Sequence, residues 1–318
     1  MRDIPKLYDD GLGKVLYVDG KPYLALGGEI HNSSSSDLRY MEEIVWPAFS
    51  PIGGNFMLAP VYWEKIEPEE GSYDFSLVDG LIRQAEEHQV KLGLLWFGLY
   101  KGPGSDFMPQ WLKEDTSRYA LQRDRKGQPT KLVSPFCDET VELDRRAYVK
   151  LMEHLRDTDT ERTVICMQIE NEPGVWFEAR DYSEKAERAF YAEVPDEIAS
   201  FFGVSGSWEE AFEEDASGRF MAWIYAKQLQ KIAGAGKEVY PLPTTTNCVP
   251  GGGAFEVSGT STFKNFDIWH HFCPGIDILT PNAYDPDYAD VAEKFAPGNE
   301  PLFIPETGCD ASAASKLI

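Results

Sequence analysis

Seven apolar runs punctuate the chain, over residues 22–32, 53–63, 90–100, 163–172, 240–247, 276–284 and 301–308, and each ends in a cluster of polar residues. Within them apolar side chains follow one another almost without a break, as in VKLGLLWFGLY at 90–100. A strand covered on both faces reads this way, whereas one with a wet face alternates. Between the second and third runs, residues 76–89 place Leu77, Val78, Leu81, Ile82 and Ala85 on one helical face, with Ser76 at the N-cap position. Residues 145–157 repeat the arrangement with Tyr148, Leu151, Met152 and Leu155. Strands that alternate with amphipathic helices predict a parallel sheet.

No run is followed by a Gly-x-Gly-x-x-Gly turn or a phosphate-binding loop, so seven units of this kind predict an α/β fold of the (β/α)8, TIM-barrel type rather than an open doubly wound sheet. After the seventh run, CDASAASKLI (309–318) begins a helical pattern and the sequence stops. The expectation is therefore one barrel domain over 1–318, cut short after its seventh strand. Residues 1–21 form a lead-in, and the eighth strand and any C-terminal domains are absent. Two connections, 175–216 and 248–271, are too long to be simple links and are expected at the C-terminal face of the barrel, where active sites of this fold are assembled.

Composition narrows the partners. A net charge of −23 repels phosphate backbones and anionic lipid surfaces, which excludes nucleic acid and membrane as expected partners. The N-terminus has no apolar signal-peptide core and no run reaches the roughly 20 apolar residues of a membrane span, so the reading is cytoplasmic. Five scattered cysteines form no Cys-x-x-Cys pair and read as free thiols. WHHFC (269–273) groups two His and a Cys, but no second ligand cluster accompanies it, and an ordinary loop is the expectation.

The chemistry sits at the strand ends. The fourth run closes as VICMQIENEPG (164–174), placing Glu170, Asn171 and Glu172 where burial is costly unless the carboxylates are used or satisfied. The seventh ends in Pro305-Glu306-Thr307-Gly308. In a barrel, Glu172 and Glu306 would face each other across the mouth, and a pair of opposed carboxylates is what glycoside hydrolysis requires. Period-two alternation puts Gln168, Glu170 and Glu172 on one side of the strand, which makes Glu170 a lower-lying support residue. A pyranose pocket also needs an aromatic platform and polar partners. Glu29 and His31 at the end of the first run, Trp63 and Glu64 at the end of the second, Trp96 in the third and Trp176 just beyond the fourth supply those types.

The sequence IENE followed by Pro-Gly, together with PVYWEKIEPEEGSYDFS (60–76) and GGEIHNS (27–33), resembles glycoside hydrolase family 35, most closely its bacterial branch, and the related family 42. The resemblance implies a retaining exo-β-galactosidase acting on β-galactosides by double displacement without a cofactor. Carried over by motif position, Glu172 resembles the acid/base and Glu306 the nucleophile. Asn171 resembles the residue that hydrogen-bonds the sugar 2-hydroxyl, and Tyr284 the tyrosine that touches the nucleophile. Pro60 stands where animal-type family 35 enzymes carry a tyrosine, and the zinc-binding cysteine cluster of many family 42 enzymes is missing, so no metal is implied. The alternatives are a β-arabinopyranosidase or β-glucosidase of the same clan, or a catalytically silent carbohydrate-binding barrel.

Overall fold

The computed structural model describes residues 2–9, 11, 13–102, 106–250, 257–284, 288–297 and 300–308. The segments 251–253 (GGG) and 309–318, and with them Cys309, lie outside these described residues.

Strands β1 (Gly27–Glu29), β2 (Phe56–Tyr62), β3 (Lys91–Lys101), β4 (Val164–Asn171), β5 (Thr244–Cys248) and β6 (Ile278–Pro281) form one sheet in that spatial order. Every neighbouring pair is parallel. The seventh run does not make a ladder. It joins beyond β6 through a single parallel bridge between Ala283 and Thr307, with the Ala283 N–H donating to the Glu306 carbonyl at 2.8 Å.

Alternation within β3 sorts the side chains into two layers. Leu92, Leu94 and Trp96 face outward to the helices, whereas Leu95 and Phe97 face inward. The inner cluster gathers Phe56, Leu58 and Tyr62 of β2, Leu95 and Phe97 of β3, and Ile165 and Cys166 of β4. Phe303 of the seventh run reaches the same cluster, its ring edge-on to Phe56 at 6.0 Å. Phe56 and Phe303 belong to opposite ends of the strand order, so their contact requires the sheet to curl around its interior, as a barrel wall does. The outer layer is covered by α1 (Ser76–Glu87), α2 (Asp138–Thr158) and α3 (Ala216–Val239), whose apolar faces merge with it into the main core.

The helix limits differ from expectation for physical reasons. Ser76 is the first helical residue rather than the cap, and its N–H is satisfied by the Asp74 carboxylate at 2.8 Å. α2 starts at Asp138 instead of 145, with Asp138 and Glu139 in its first turn, where acidic side chains complement the helix dipole. The lead-in is itself folded, as an antiparallel sheet of Lys6–Asp9, Lys14–Val18 and Lys21–Pro22 whose Val18 packs into the inner cluster. The long connection after β4 is largely helical (Glu184–Tyr191, Asp196–Phe202, Trp208–Phe212). Its Val175–Trp176 pairs antiparallel with Val257–Ser258 of the second long connection, so the two meet over the mouth of the sheet. Among the described residues no helix is long and apolar enough to cross a membrane.

Candidate active site

The buried acid at the end of β4 is explained by its neighbour. Trp96 pairs with Ile169, and the next register pair is Lys101 with Asn171, so β3 spends five residues where β4 advances two. Such a bulge takes N–H groups out of the ladder. Glu170 fills it: its carboxylate accepts from the N–H groups of Gly98 (3.2 Å), Leu99 (3.1 Å) and Tyr100 (2.9 Å). Its side chain also hydrogen-bonds Asp144 of α2, which in turn accepts from the Trp96 indole at 2.7 Å. Burial pushes both carboxyl groups up, and the charge of Asp144 adds to the rise at Glu170. Glu170 therefore does not share a side of the strand with Gln168 and Glu172. Positive φ values at Glu170 (59°) and Glu172 (51°) break the period of two. Left-handed backbone costs roughly 1–2 kcal/mol per residue, and the hydrogen bonds of both residues offset it.

Glu172 emerges from this turn into a set of amides. Its N–H donates to Asn247 Oδ1 at 2.8 Å, and its Oε1 accepts from Asn282 Nδ2 at 2.7 Å. Asn247 Nδ2 donates to Glu306 Oε1 at 2.8 Å and lies 3.2 Å from both Asn171 Oδ1 and Asn282 Oδ1. The other oxygen of Glu306 accepts from the Tyr284 hydroxyl at 2.7 Å. One asparagine thus touches both glutamate residues, and each oxygen of Glu306 has a donor. Donors to a carboxylate favour its charged form. Glu172 is in the opposite situation. It is only 8% exposed, and burial, followed by the negative field of Glu306, raises it from 4.5 to about 7, although Lys101 and the Asn282 amide act against this. At neutral pH the site offers one carboxyl poised to give a proton beside a second whose two oxygens each accept a hydrogen bond.

A further carboxyl completes the wall. Glu29 is in register with Leu58, an inward residue, so it points into the mouth from the end of β1. Burial first, then the charges of Glu306 and Glu172, push it up to about 9, with Lys101 opposing. Lys101 is 7% exposed and folds its Nζ over the Phe97 ring at 5.4 Å.

Of the residues singled out from sequence, Glu172, Glu306, Asn171 and Tyr284 come together, and Glu29 faces them. Trp176 lies beside them, its indole N–H directed at the Glu172 carbonyl (3.4 Å) and its ring against Gly102. Trp96 does not belong to the pocket: it is fully buried on the outer face of β3, bonded to Asp144. Trp63 is likewise core, donating to the buried Glu67 at 2.8 Å. His31 is exposed at the rim, where only its backbone carbonyl is engaged, by the Ser34 N–H. WHHFC is the end of a helix (Phe266–Phe272), not a loop. His271 stacks on Phe201, and among the described residues no three His, Cys, Asp or Glu side chains converge as a metal site requires. Sequence reasoning missed Asn247, Asn282 and Lys101. Each is a polar residue near the end of an apolar run, which was the signal already read at Asn171.

In solved structures the chain is similar to a beta-galactosidase from Bacillus circulans sp. alkalophilus, with TM-score 0.60 and 18% identity over 85% of this chain and 42% of that one. It is similar to a beta-galactosidase from the psychrophilic Marinomonas ef1, with TM-score 0.59 and 15% identity over 89% and 48%. It is also similar to a catalytic mutant of a GH42 beta-galactosidase from G. stearothermophilus, with TM-score 0.61 and 14% identity over 84% and 42%. The chain spans less than half the length of each of these proteins. At such identities the likeness is one of fold, that of barrel glycoside hydrolases. The family model that matches is not that of family 35, to which the motifs pointed first, but that of its relative. With residues 47–229 matched by the glycoside hydrolase family 42 model, described as beta-galactosidase and covering more than half of the sequence, the chain belongs to that family.

Proposed function

We propose that this barrel hydrolyses terminal β-D-galactosides with retention of configuration, Glu172 acting as acid/base and Glu306 as nucleophile. The observation that carries the reading is the division of labour around Asn247. Glu306 receives two donors, whereas Glu172 is buried and holds its proton up to about pH 7. In the first half-reaction Glu172 protonates the leaving oxygen while Glu306 attacks the anomeric carbon, giving a galactosyl ester and the free aglycone. Esterification removes the charge of Glu306, a main cause of the raised Glu172, so Glu172 then ionises readily and takes a proton from the incoming water. Asn171 holds the sugar 2-hydroxyl, and Trp176 supplies an aromatic ring at the sugar site. The protein works on a carbohydrate as a single barrel domain, with the two long connections over its mouth.

The test is hydrolysis of an aryl β-D-galactopyranoside followed by proton NMR. The β-anomer of galactose should form first, and kcat/KM should exceed that of the aryl β-glucoside by roughly tenfold to a hundredfold, as for a polar site deprived of one hydroxyl partner. First formation of the α-anomer would overturn the mechanism. Equal rates on the glucoside, or a preference for the arabinopyranoside, would overturn the galactoside assignment. No hydrolysis of any of them would leave a binding barrel.

A further inference from the structure

Two groups at the mouth have capacity that the protein does not use. Among the described residues, Glu29 Oε2 is buried with no hydrogen-bond partner, and the Lys101 Nζ, which has three N–H groups, makes one hydrogen bond, to the carbonyl of the adjacent Gly102 at 3.2 Å. Leaving a buried polar atom unmet is destabilising, and an under-coordinated buried cation is more so. The simplest relief would be a salt bridge between the two. They lie close enough for Lys101 to act on Glu29 electrostatically, yet they do not approach within the 4.0 Å of an ion pair.

The gap is held open by the fold. Glu29 is fixed at the end of β1 by its register with Leu58. Lys101 is fixed at the end of β3 by the bulge that Glu170 fills, which returns it to register beside Asn171. β2 stands between these strands. The Phe97 ring beneath Nζ directs the lysine into the mouth rather than outward.

We propose that Glu29 and Lys101 together hold hydroxyls of the sugar ring remote from the bond being cleaved, and thereby set which sugar the site accepts. This rests on the galactoside reading above and names the residues that decide it. The occupant must be neutral, because an anion would meet Glu172 and Glu306 and a cation would meet Lys101. It must offer a lone pair to Lys101 and meet Glu29 Oε2, on a carboxyl that can give a hydrogen bond or take one. Adjacent hydroxyls of a pyranose do both. Neither side chain is asked to take part in bond making.

The experiment compares wild type, Lys101→Met, Glu29→Gln and Glu29→Ala in the full-length protein, on the aryl β-galactoside and its 3-, 4- and 6-deoxy analogues. Lys101→Met should lower kcat/KM for the parent sugar at least tenfold. One deoxy analogue, already slow with wild type, should lose no more than a few-fold further, because the contact is missing from both sides. Glu29 keeps its proton near neutrality, so the amide of Glu29→Gln should retain activity within a few-fold while Glu29→Ala loses more than tenfold. A Lys101→Met penalty that is absent, or the same on every analogue, overturns the inference and marks the lysine as structural. Should wild type prefer another aryl glycoside, the galactoside reading fails while the deoxy series of that sugar tests the pair. Should it cleave none, calorimetric titration with galactose and glucose replaces kinetics. Loss of sugar binding in Lys101→Met then supports the pair, whereas unchanged binding, or no binding by wild type, overturns it.

Discussion

Replacing Glu172 by Gln should change stability in a manner set by pH alone. In the unfolded chain this carboxyl ionises near its ordinary value of 4.5, and in the fold it keeps its proton to about 7 because it is buried beside Glu306. Below pH 4 both states carry the proton and the residue contributes no pH dependence. As pH rises through 4.5 toward 7 the unfolded state loses its proton first, so the fold binds more protons and stability falls. Above pH 7 the loss is complete. A displacement from 4.5 to about 7 corresponds to roughly 3 kcal/mol at 1.36 kcal/mol per tenfold. Gln has nearly the same shape, cannot ionise, and still offers Oε1 to the Asn282 amide. Glu172→Gln should therefore match wild type near pH 4.5 and exceed it by about 3 kcal/mol at pH 8.5, a rise in Tm of several degrees for a domain of this size. Denaturant or thermal melts of both proteins across pH 4.5–9 measure this, and Glu29 and Glu306 are present in both. The same proton predicts that wild-type activity falls as pH rises through about 7, because the acid is then ionised. A stability difference that stays flat with pH would refute the reasoning.

Glu170→Ala should destabilise the fold by about 3–5 kcal/mol in equilibrium melts, since three buried N–H groups of the β3 bulge lose their acceptor together. Asn247→Ala removes a donor to Glu306 and the acceptor of the Glu172 N–H, so kcat should fall about 10- to 300-fold and the fold should lose about 1–3 kcal/mol in equilibrium melts. A Cβ on Gly102 would overlap the Trp176 indole, so Gly102→Ala should shift the fluorescence of Trp176 and reduce kcat/KM at least tenfold.

The architecture was legible because a parallel sheet buried on both faces has a plain signature: runs such as VKLGLLWFGLY with amphipathic helices between them. The two glutamates were legible for a related reason, namely that an acid closing such a run has no structural excuse. Periodicity failed where the backbone leaves the strand path. Two-residue alternation placed Glu170 beneath Glu172, but positive φ at both turns Glu170 to the opposite layer, and a left-handed Glu has no marker in sequence. Trp96 was read as a platform because it sits near the end of its run, and the three extra residues of the bulge put the true end at Lys101. Asn247 and Asn282 carry the same signal as Asn171, but the fifth run was read for its strand alone and the sixth only for Tyr284 at its end. His31 shows the limit of residue type as a guide: its place after β1 is right, and exposure leaves it at the rim.

The most direct measurement of the central claim is to trap the covalent intermediate. A 2-deoxy-2-fluoro-β-galactosyl fluoride slows both half-reactions by withdrawing electrons from the anomeric carbon, but its good leaving group lets the first proceed, so the ester accumulates. Digestion and mass spectrometry of the inactivated protein should find one fluorogalactosyl group per chain, on the peptide containing Glu306, with Glu172→Gln still labelled and Glu306→Gln unlabelled. A label on Glu172 or Glu29, or turnover of the parent galactoside by Glu306→Gln at a rate near wild type, would contradict the account.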